Sequence, residues 1–303
     1  MRFTIFQDSQ VGNREGNEDR VGYSYSRDVL MMVIADGMGG HQQGEVAAEI
    51  AVTEITRRFQ QEARNKLRKP FEFLVSAIQS AHRAIVSHAV EQNLLECPRT
   101  TCVACVVQNG YAYWAHAGDS RLYVFRKGQL LAATQDHSKI QQMIDAGQIT
   151  AEQAARHPDR NKIFSCLGGV VPPHIDVGRE AKLESGDTLM LSTDGFWAQI
   201  PSSILGNMLT KQTVTALMPG LLTEAHRRAA GESDNLTVVA MTWENQEDPH
   251  VADTASLDDE EFATSTNTTE NLNIPGGPVE DVTDDDIERA IAEIQNAIKK
   301  VPR

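Results

Sequence analysis

Four aspartates hold the same kind of position in this chain, each where an apolar run meets small or turn-forming residues. Asp36 ends VLMMVIAD and opens DGMGGH, Asp119 lies in AGDSR, Asp194 ends LMLSTD ahead of Gly195, and Asp234 sits in SDN just before LTVVAM. A carboxylate at the end of a buried strand is costly to desolvate, so it needs several hydrogen bonds or a cation. Mg²⁺ and Mn²⁺ favour oxygen ligands, and carboxylates, a backbone carbonyl and waters make the octahedral set such ions take. Gly37, which has no side chain, lets its carbonyl approach an ion beside Asp36. One aspartate so placed reads as a turn or cap residue; four together weaken that reading and favour a divalent-cation centre.

Those positions need a scaffold that ends several strands in one place. Strands are expected at 3–7, 29–35, 100–107, 111–116, 121–125, 188–192 and 236–241, all rich in Val, Ile, Tyr and Thr. Helices are expected from Gly44 to about Leu67, Pro70 to about Leu95, Ser138 to Asp145, Ala151 to Arg156 and Thr213 to Ala229. In the first of these Ala47, Ile50, Ala51, Ile55 and Phe59 recur at helical spacing and mark a buried face. Strands arriving in runs, apart from paired long helices, point to α+β layering rather than alternating βαβ units. Cys102 and Cys105 fall three apart in one strand and so face opposite sides.

The net charge of −14 belongs to one part of the chain. Residues 1–243 hold 26 acidic and 24 basic side chains, whereas residues 244–303 hold 16 and 4. A nearly neutral body without a basic stripe gives no footprint for nucleic acid. Residues 244–282 read as an acidic, disordered linker. Residues 283–301 follow as an amphipathic helix with Ile287, Ile291, Ile294 and Ile298 on one face. That helix either frays or docks on its own domain, or it binds a partner. The longest apolar run, Val29–Ala35, is too short to cross a bilayer. The opening MRFTIFQDSQ does not have the form of a secretory signal, and four cysteines are few for this length. A reduced, cytoplasmic setting is expected. The glycines at 37–40 lack the GK[ST] ending of a nucleotide loop, and Gln42 stands where GxGxxG needs glycine.

Six blocks carry a resemblance: GNREGNEDR at 12–20, ADGMGGHQQGEVAAEIA at 35–51, HAGDSRLYVFRKGQL at 116–130, QDHS at 135–138, STDGFW at 192–197 and SDNLTVV at 233–239. In order and spacing they resemble the motifs of the protein phosphatase 2C family in its bacterial form, over nearly all of residues 1–243. The resemblance implies a four-layer α-β-β-α sandwich of two antiparallel sheets flanked by helices. It implies a metal cleft at one end, and hydrolysis of phosphoserine and phosphothreonine on proteins by a water bridging two or three Mn²⁺ or Mg²⁺ ions, opposing a Ser/Thr kinase.

Position by position, the resemblance makes Asp36, Asp194 and Asp234 the catalytic set. Asp36 would bridge two ions, the Gly37 carbonyl would complete one site, and Asp194 and Asp234 would bind the second ion. Glu18 and Asp19 would orient bound waters. Asp119 would hold a third ion, unless it only shapes the GDSR turn. Arg14 would grip the substrate phosphate through its planar fork, the alternative being an exposed loop charge.

One departure stands out. Eukaryotic members place a histidine general acid two residues after the bridging aspartate, where this chain has Met38. Neither nearby His41 nor a water on a third ion is preferred in its place. Residues 138–169 resemble the family's flap, which either gates substrate or is a solvated helical insertion. His116 and His137 read as hydrogen-bonded structural residues. A catalytically silent phosphoprotein- or regulator-binding module of the same fold is the competing reading.

Overall fold

Every side chain from Val29 to Ala35 is buried, and alternate residues belong to different cores. Val29, Met31, Val33 and Ala35 join one apolar cluster, and Leu30, Met32 and Ile34 join another. That is the period of an extended strand covered on both faces.

The computed structural model describes residues 1–38, 43–64, 66–154, 157–159, 162–244, 252–253 and 261–267. Along the chain come β1 (Arg2–Gln10), β2 (Asp19–Tyr25), β3 (Val29–Met38), α1 (Gly44–Glu62), α2 (Pro70–Glu91), β4 (Arg99–Thr100), β5 (Cys102–Gln108), β6 (Tyr111–Ala117), β7 (Arg121–Arg126) and β8 (Gln129–Ala133). Then follow α3 (Lys139–Asp145), α4 (Ala151–Ala154), β9 (Leu167–Gly168), β10 (Asp176–Val177), β11 (Ala181–Lys182), β12 (Thr188–Ser192), α5 (Asp194–Trp197), α6 (Ser202–Leu209), α7 (Val214–Arg228), β13 (Leu236–Trp243), β14 (Ala252–Asp253) and β15 (Ala263–Thr266).

The strands form two antiparallel sheets. One runs β14-β1-β13-β12-β7-β8; the other runs β10-β6-β5-β3-β2-β15, with β11 on β6 and with β4 joining β3 to β9. Three cores separate four layers. The first lies between α1, α2 and the second sheet and is built on Ala47, Ile55, Phe59, Leu74 and Ile78. The second lies between the sheets, and the third packs Leu217, Leu221 and Phe196 under the first sheet. The expected α-β-β-α sandwich is therefore what the chain forms. Cys102 and Cys105 do lie on opposite faces, one in the helix-side core and one between the sheets.

Several boundaries differ from expectation for physical reasons. The strand expected at 100–107 is broken at Thr101, whose hydroxyl accepts the Asp36 amide at 3.0 Å, leaving β4 to pair with β9. Strand β2 was not anticipated, because its glycine and polar residues mask the β pattern. Helices α1 and α2 stop a few residues early, at Glu62 and Glu91.

The largest correction concerns the acidic stretch expected to be disordered. Residues Ala252–Asp253 add to the edge of β1, and Ala263–Thr266 pair with β2. Averaged charge hid a short uncharged run, FATSTN, with the β-branched residues a strand favours. Thr264 shares a hydrogen bond with the Ser24 hydroxyl at 2.7 Å, and the Phe262 ring packs edge-on against Phe59 at 5.6 Å. The strand covers an edge that would otherwise be open to pairing. Apart from Glu244, Ala252–Asp253 and residues 261–267, the stretch 244–282 lies outside the described residues, as does the whole of the expected helix at 283–301.

Candidate active site

Antiparallel pairing brings the chemically interesting residues to one end of the sandwich. In the second sheet Asp19, at the start of β2, stands directly opposite Asp36, near the end of β3. In the first sheet Ser192 at the end of β12 pairs with Val238 of β13 and Arg121 of β7. Asp194, Asp234 and Asp119 adjoin those three strand ends. Glu18 precedes β2, and Arg14 lies in the loop between β1 and β2.

Hydrogen bonds tie the two sheet ends together here. The Thr193 hydroxyl donates to Asp19 Oδ2 at 2.8 Å, crossing from one sheet to the other. Asn235 Oδ1 accepts the Glu18 amide at 2.9 Å, while its Nδ2 donates to the carbonyls of Val11 and Gly16. Arg14 Nη2 reaches Asp234 Oδ2 at 2.7 Å, with the Arg14 side chain 60% exposed. Gly37 donates its amide to the Glu18 carbonyl at 3.1 Å. A Cβ on Gly37 would collide with the backbone of Gly44, and one on Gly44 with the Glu18 carboxylate. The two glycines therefore let β3, the first turn of α1 and Glu18 approach one another.

The electrostatics are those of crowded, desolvated acids. Desolvation, followed by the nearby Asp19 charge, pushes Asp36 well above the usual carboxylate range. Desolvation and then Asp234 raise Asp194 to about 6. Asp119 rises to about 8 through desolvation and then Asp194. Asp19 rises to about 7, mainly by desolvation, even though Thr237 and Thr193 hydrogen bonds pull the other way. Glu18 is raised by desolvation and by Glu45. Among the described residues, Arg14 on Asp234 is the one Lys or Arg ion pair made by any of these acids.

A buried acidic set short of basic partners either holds protons or holds cations. The donors are oxygens throughout, which fits Mg²⁺ or Mn²⁺ rather than a thiolate- or imidazole-seeking ion. All eight expected site residues, Asp36, Gly37, Asp194, Asp234, Glu18, Asp19, Asp119 and Arg14, come to this end of the molecule.

Sequence reasoning missed the residues that hold the set in place. Thr193 and Asn235 flank two of the aspartates, and their adjacency was the available signal. Asp136 makes a bidentate pair with Arg121 at 2.7 and 2.8 Å. The Arg121 guanidinium lies 3.4 Å over the Trp197 ring, and Trp197 Nε1 donates to the Asp119 carbonyl at 3.0 Å. Together they brace the turn that carries Asp119. Met38 ends β3 half-buried, and His41 lies outside the described residues. His116 and His137 are buried; the first bonds the Gln135 carbonyl at 2.7 Å, and the second faces the Gly118 amide at 3.3 Å.

Comparison with known proteins agrees with this geometry. The family profile described as protein phosphatase 2C matches residues 7–238. Protein phosphatase PhpP of Streptococcus pneumoniae is 31% identical over 236 residues, covering 78% of this chain and 94% of its own. The serine/threonine phosphatase of S. agalactiae superimposes with a TM-score of 0.72 at 30% identity, over 80% of this chain and 100% of that one. The catalytic domain of the serine/threonine phosphatase PstP, solved with two manganese ions, gives 0.67 at 28% identity, over 80% and 99% of the chains. With the profile spanning the site and the fold matched along the whole length of solved phosphatases, the chain belongs to the protein phosphatase 2C family, the metal-dependent protein serine/threonine phosphatases.

Proposed function

We propose that the acidic end of the sandwich is the catalytic centre, with Asp36, Asp194 and Asp234 holding two Mn²⁺ or Mg²⁺ ions. The Gly37 carbonyl would complete one site, Glu18 and Asp19 would act through waters, and Asp119 would serve a third ion. The observation that carries this reading is the crowding of Asp19, Asp36, Asp119 and Asp194, half-buried or buried, without a Lys or Arg ion pair among the described residues. The two manganese ions of the PstP structure support the same stoichiometry here.

When bound, divalent ions make water acidic enough to supply hydroxide near neutral pH and neutralise phosphate charge. The chain's own residues do the rest. Asp19, fixed by Thr193, and Glu18, fixed by Asn235 through its amide, present acceptors that hold water protons in one orientation. Arg14, exposed at the rim, offers two N–H groups to phosphate oxygens and steers the monoester into the cleft. In the overall hydrolysis the oxygen of water bonds to phosphorus as the ester P–O bond breaks, and the serine or threonine oxygen leaves with a proton from that water, without a covalent enzyme intermediate. Met38 carries no proton to give, so the general acid is not the residue two after Asp36.

Phosphoproteins are the substrates, and a Ser/Thr kinase or its targets are the natural partners. The helix expected at 283–301 is a further candidate contact. A cytoplasmic location is part of this reading; among the described residues no helix is long and apolar enough to cross a membrane. The deciding experiment is hydrolysis of a phosphothreonine peptide by metal-stripped protein, with and without Mn²⁺, beside Asp194→Asn. Turnover that requires the ion and collapses in the variant supports the assignment. Intact Mn²⁺ binding without turnover transfers the weight to a silent phosphoprotein-binding module.

A further inference from the structure

A second cluster of ligating side chains lies at the root of the flap. His116 lies one residue before the end of β6 and stands directly opposite Asp176, where the chain re-enters the sheet as β10. His137 immediately precedes Ser138, the residue that caps α3. The ligand atoms of His116, His137 and Asp176 lie within 4.8 Å of one another. The rings of His116 and His137 stack at 4.6 Å, and the His174 ring lies 5.3 Å from that of His137. One carboxylate serves two imidazoles, since Asp176 Oδ2 is 3.2 Å from His137 Nε2 and Oδ1 is 2.9 Å from His174 Nε2. A cavity of about 410 Å³, bordered by Gln141, Gln142 and Phe164 from the flap, opens onto the group.

The protonation pattern is informative. His116 Nε2 faces a carbonyl oxygen, so that nitrogen carries the proton and Nδ1 keeps its lone pair. Nδ1 of His116 is buried and has no hydrogen-bond partner, and Nε2 of His137 is buried without a well-aligned one. Both residues are only 3% exposed. An imidazole anchored by a backbone carbonyl on one nitrogen, with the other free, is the arrangement of a metal-binding histidine. Desolvation lowers both histidines, which keeps them in the neutral form that binds metal.

We propose that His116 Nδ1, His137 Nε2 and Asp176, with His174 at the mouth, form a transition-metal site of the Zn²⁺ class, separate from the carboxylate centre. Nitrogen donors with one carboxylate suit Zn²⁺, whereas Mg²⁺ and Mn²⁺ prefer the all-oxygen set. The site joins both roots of the flap to β6, because His137 precedes the segment at 138–169 and His174 and Asp176 follow it. Binding through His137 Nε2 puts that ring's proton on Nδ1, so the 3.3 Å contact with the Gly118 amide must give way. Gly118 is the neighbour of Asp119, and the flap site is thereby connected to the catalytic end.

The test titrates Zn²⁺, and separately Co²⁺, into metal-stripped full-length protein with Mg²⁺ in excess to occupy the oxygen-ligand centre. Calorimetry should find one Zn²⁺ per chain, and Co²⁺ should develop the visible absorption of a nitrogen-ligated, low-coordinate ion. Asp176→Asn and His174→Ala, at half-exposed and exposed positions, should each weaken Zn²⁺ binding at least about tenfold, with the circular dichroism spectrum unchanged. Zn²⁺ should also slow proteolysis within the flap. Wild-type protein that takes up no Zn²⁺ would overturn the proposal, as would uptake indifferent to both variants. Uptake lost in Asp194→Asn but kept in Asp176→Asn would put the ion in the carboxylate cleft, which equally refutes it.

Discussion

Replacing Asp194 by Asn should stabilise the metal-free protein while destroying its activity. The carboxyl is raised from 3.8 to about 6 by desolvation and then Asp234, so the folded state holds a proton that the unfolded state releases. A raised carboxyl contributes its full stability below pH 3.8 and loses it as pH rises through about 6. At about 1.4 kcal/mol per pH unit, the wild-type penalty at pH 8 approaches about 3 kcal/mol. Asn keeps an acceptor for the Gly195 amide without the charge, and it also relieves Asp19, Asp36 and Asp119, each of which feels Asp194. Urea unfolding in a chelator at pH 8 should therefore find the variant more stable by about 2–3 kcal/mol, the gap closing toward pH 4. Mg²⁺ should close the gap, because an ion at 100 times its Kd adds about 2.7 kcal/mol to the chain that binds it. A variant no more stable than wild type at pH 8 in chelator, or a gap independent of pH, would refute the view that the carboxylates are held at a cost which cations relieve.

Three further outcomes are expected. Arg14→Lys should lower kcat/KM on a phosphopeptide by about 10–100-fold, from the loss of charge-assisted hydrogen bonds, while the melting temperature stays put because the pair with Asp234 is exposed. Asp136→Asn should cost about 3 kcal/mol in urea unfolding, since it leaves the largely covered Arg121 without its bidentate partner, and it should raise the metal concentration needed for half-maximal turnover by loosening the Asp119 turn. A chain ended after Glu244 should be less stable than one ended after Asn267 by about 1–3 kcal/mol, the scale of Phe262 burial plus the β15 pairing, as read by thermal unfolding.

The sequence made the scaffold legible wherever one physical signal dominated. The run VLMMVIA, rich in Val and Ile, read as a strand, and the spacing of Ala47, Ala51, Ile55 and Phe59 read as one face of a helix. The aspartates were visible because each interrupts an apolar run at its end. Strand β2 was not, because Gly22, Ser24 and two tyrosines give no clean alternation and the strand is held by neighbours on both sides. β15 was hidden by averaging: four residues that pair with a sheet edge disappear in a stretch of about forty residues rich in carboxylates. Thr193, Asn235 and the Arg121–Asp136 pair were illegible for another reason, since their partners are distant in sequence and only the register of the sheets brings them together.

That register also explains why the acids can be crowded at all. Like charges directly opposite on an antiparallel pair are unfavourable, yet Asp19 faces Asp36 across β2 and β3. The frame around them is rigid enough to hold the conflict. β3 is buried on both faces, Thr100 and Thr101 grip the Asp36 carbonyl at 2.8 Å each, and Thr193 ties Asp19 to the opposing sheet. On the far side, His137 donates its amide to the Gly118 carbonyl at 2.9 Å, while Asp136 next to it grips the arginine that stacks on Trp197. The root of the flap and the Asp119 turn are thus parts of one hydrogen-bonded unit. Any ligand that repositions the flap root must work against the same bonds that set Asp119, so under the proposed mechanism substrate access and the third cation position would be mechanically linked rather than separately adjustable.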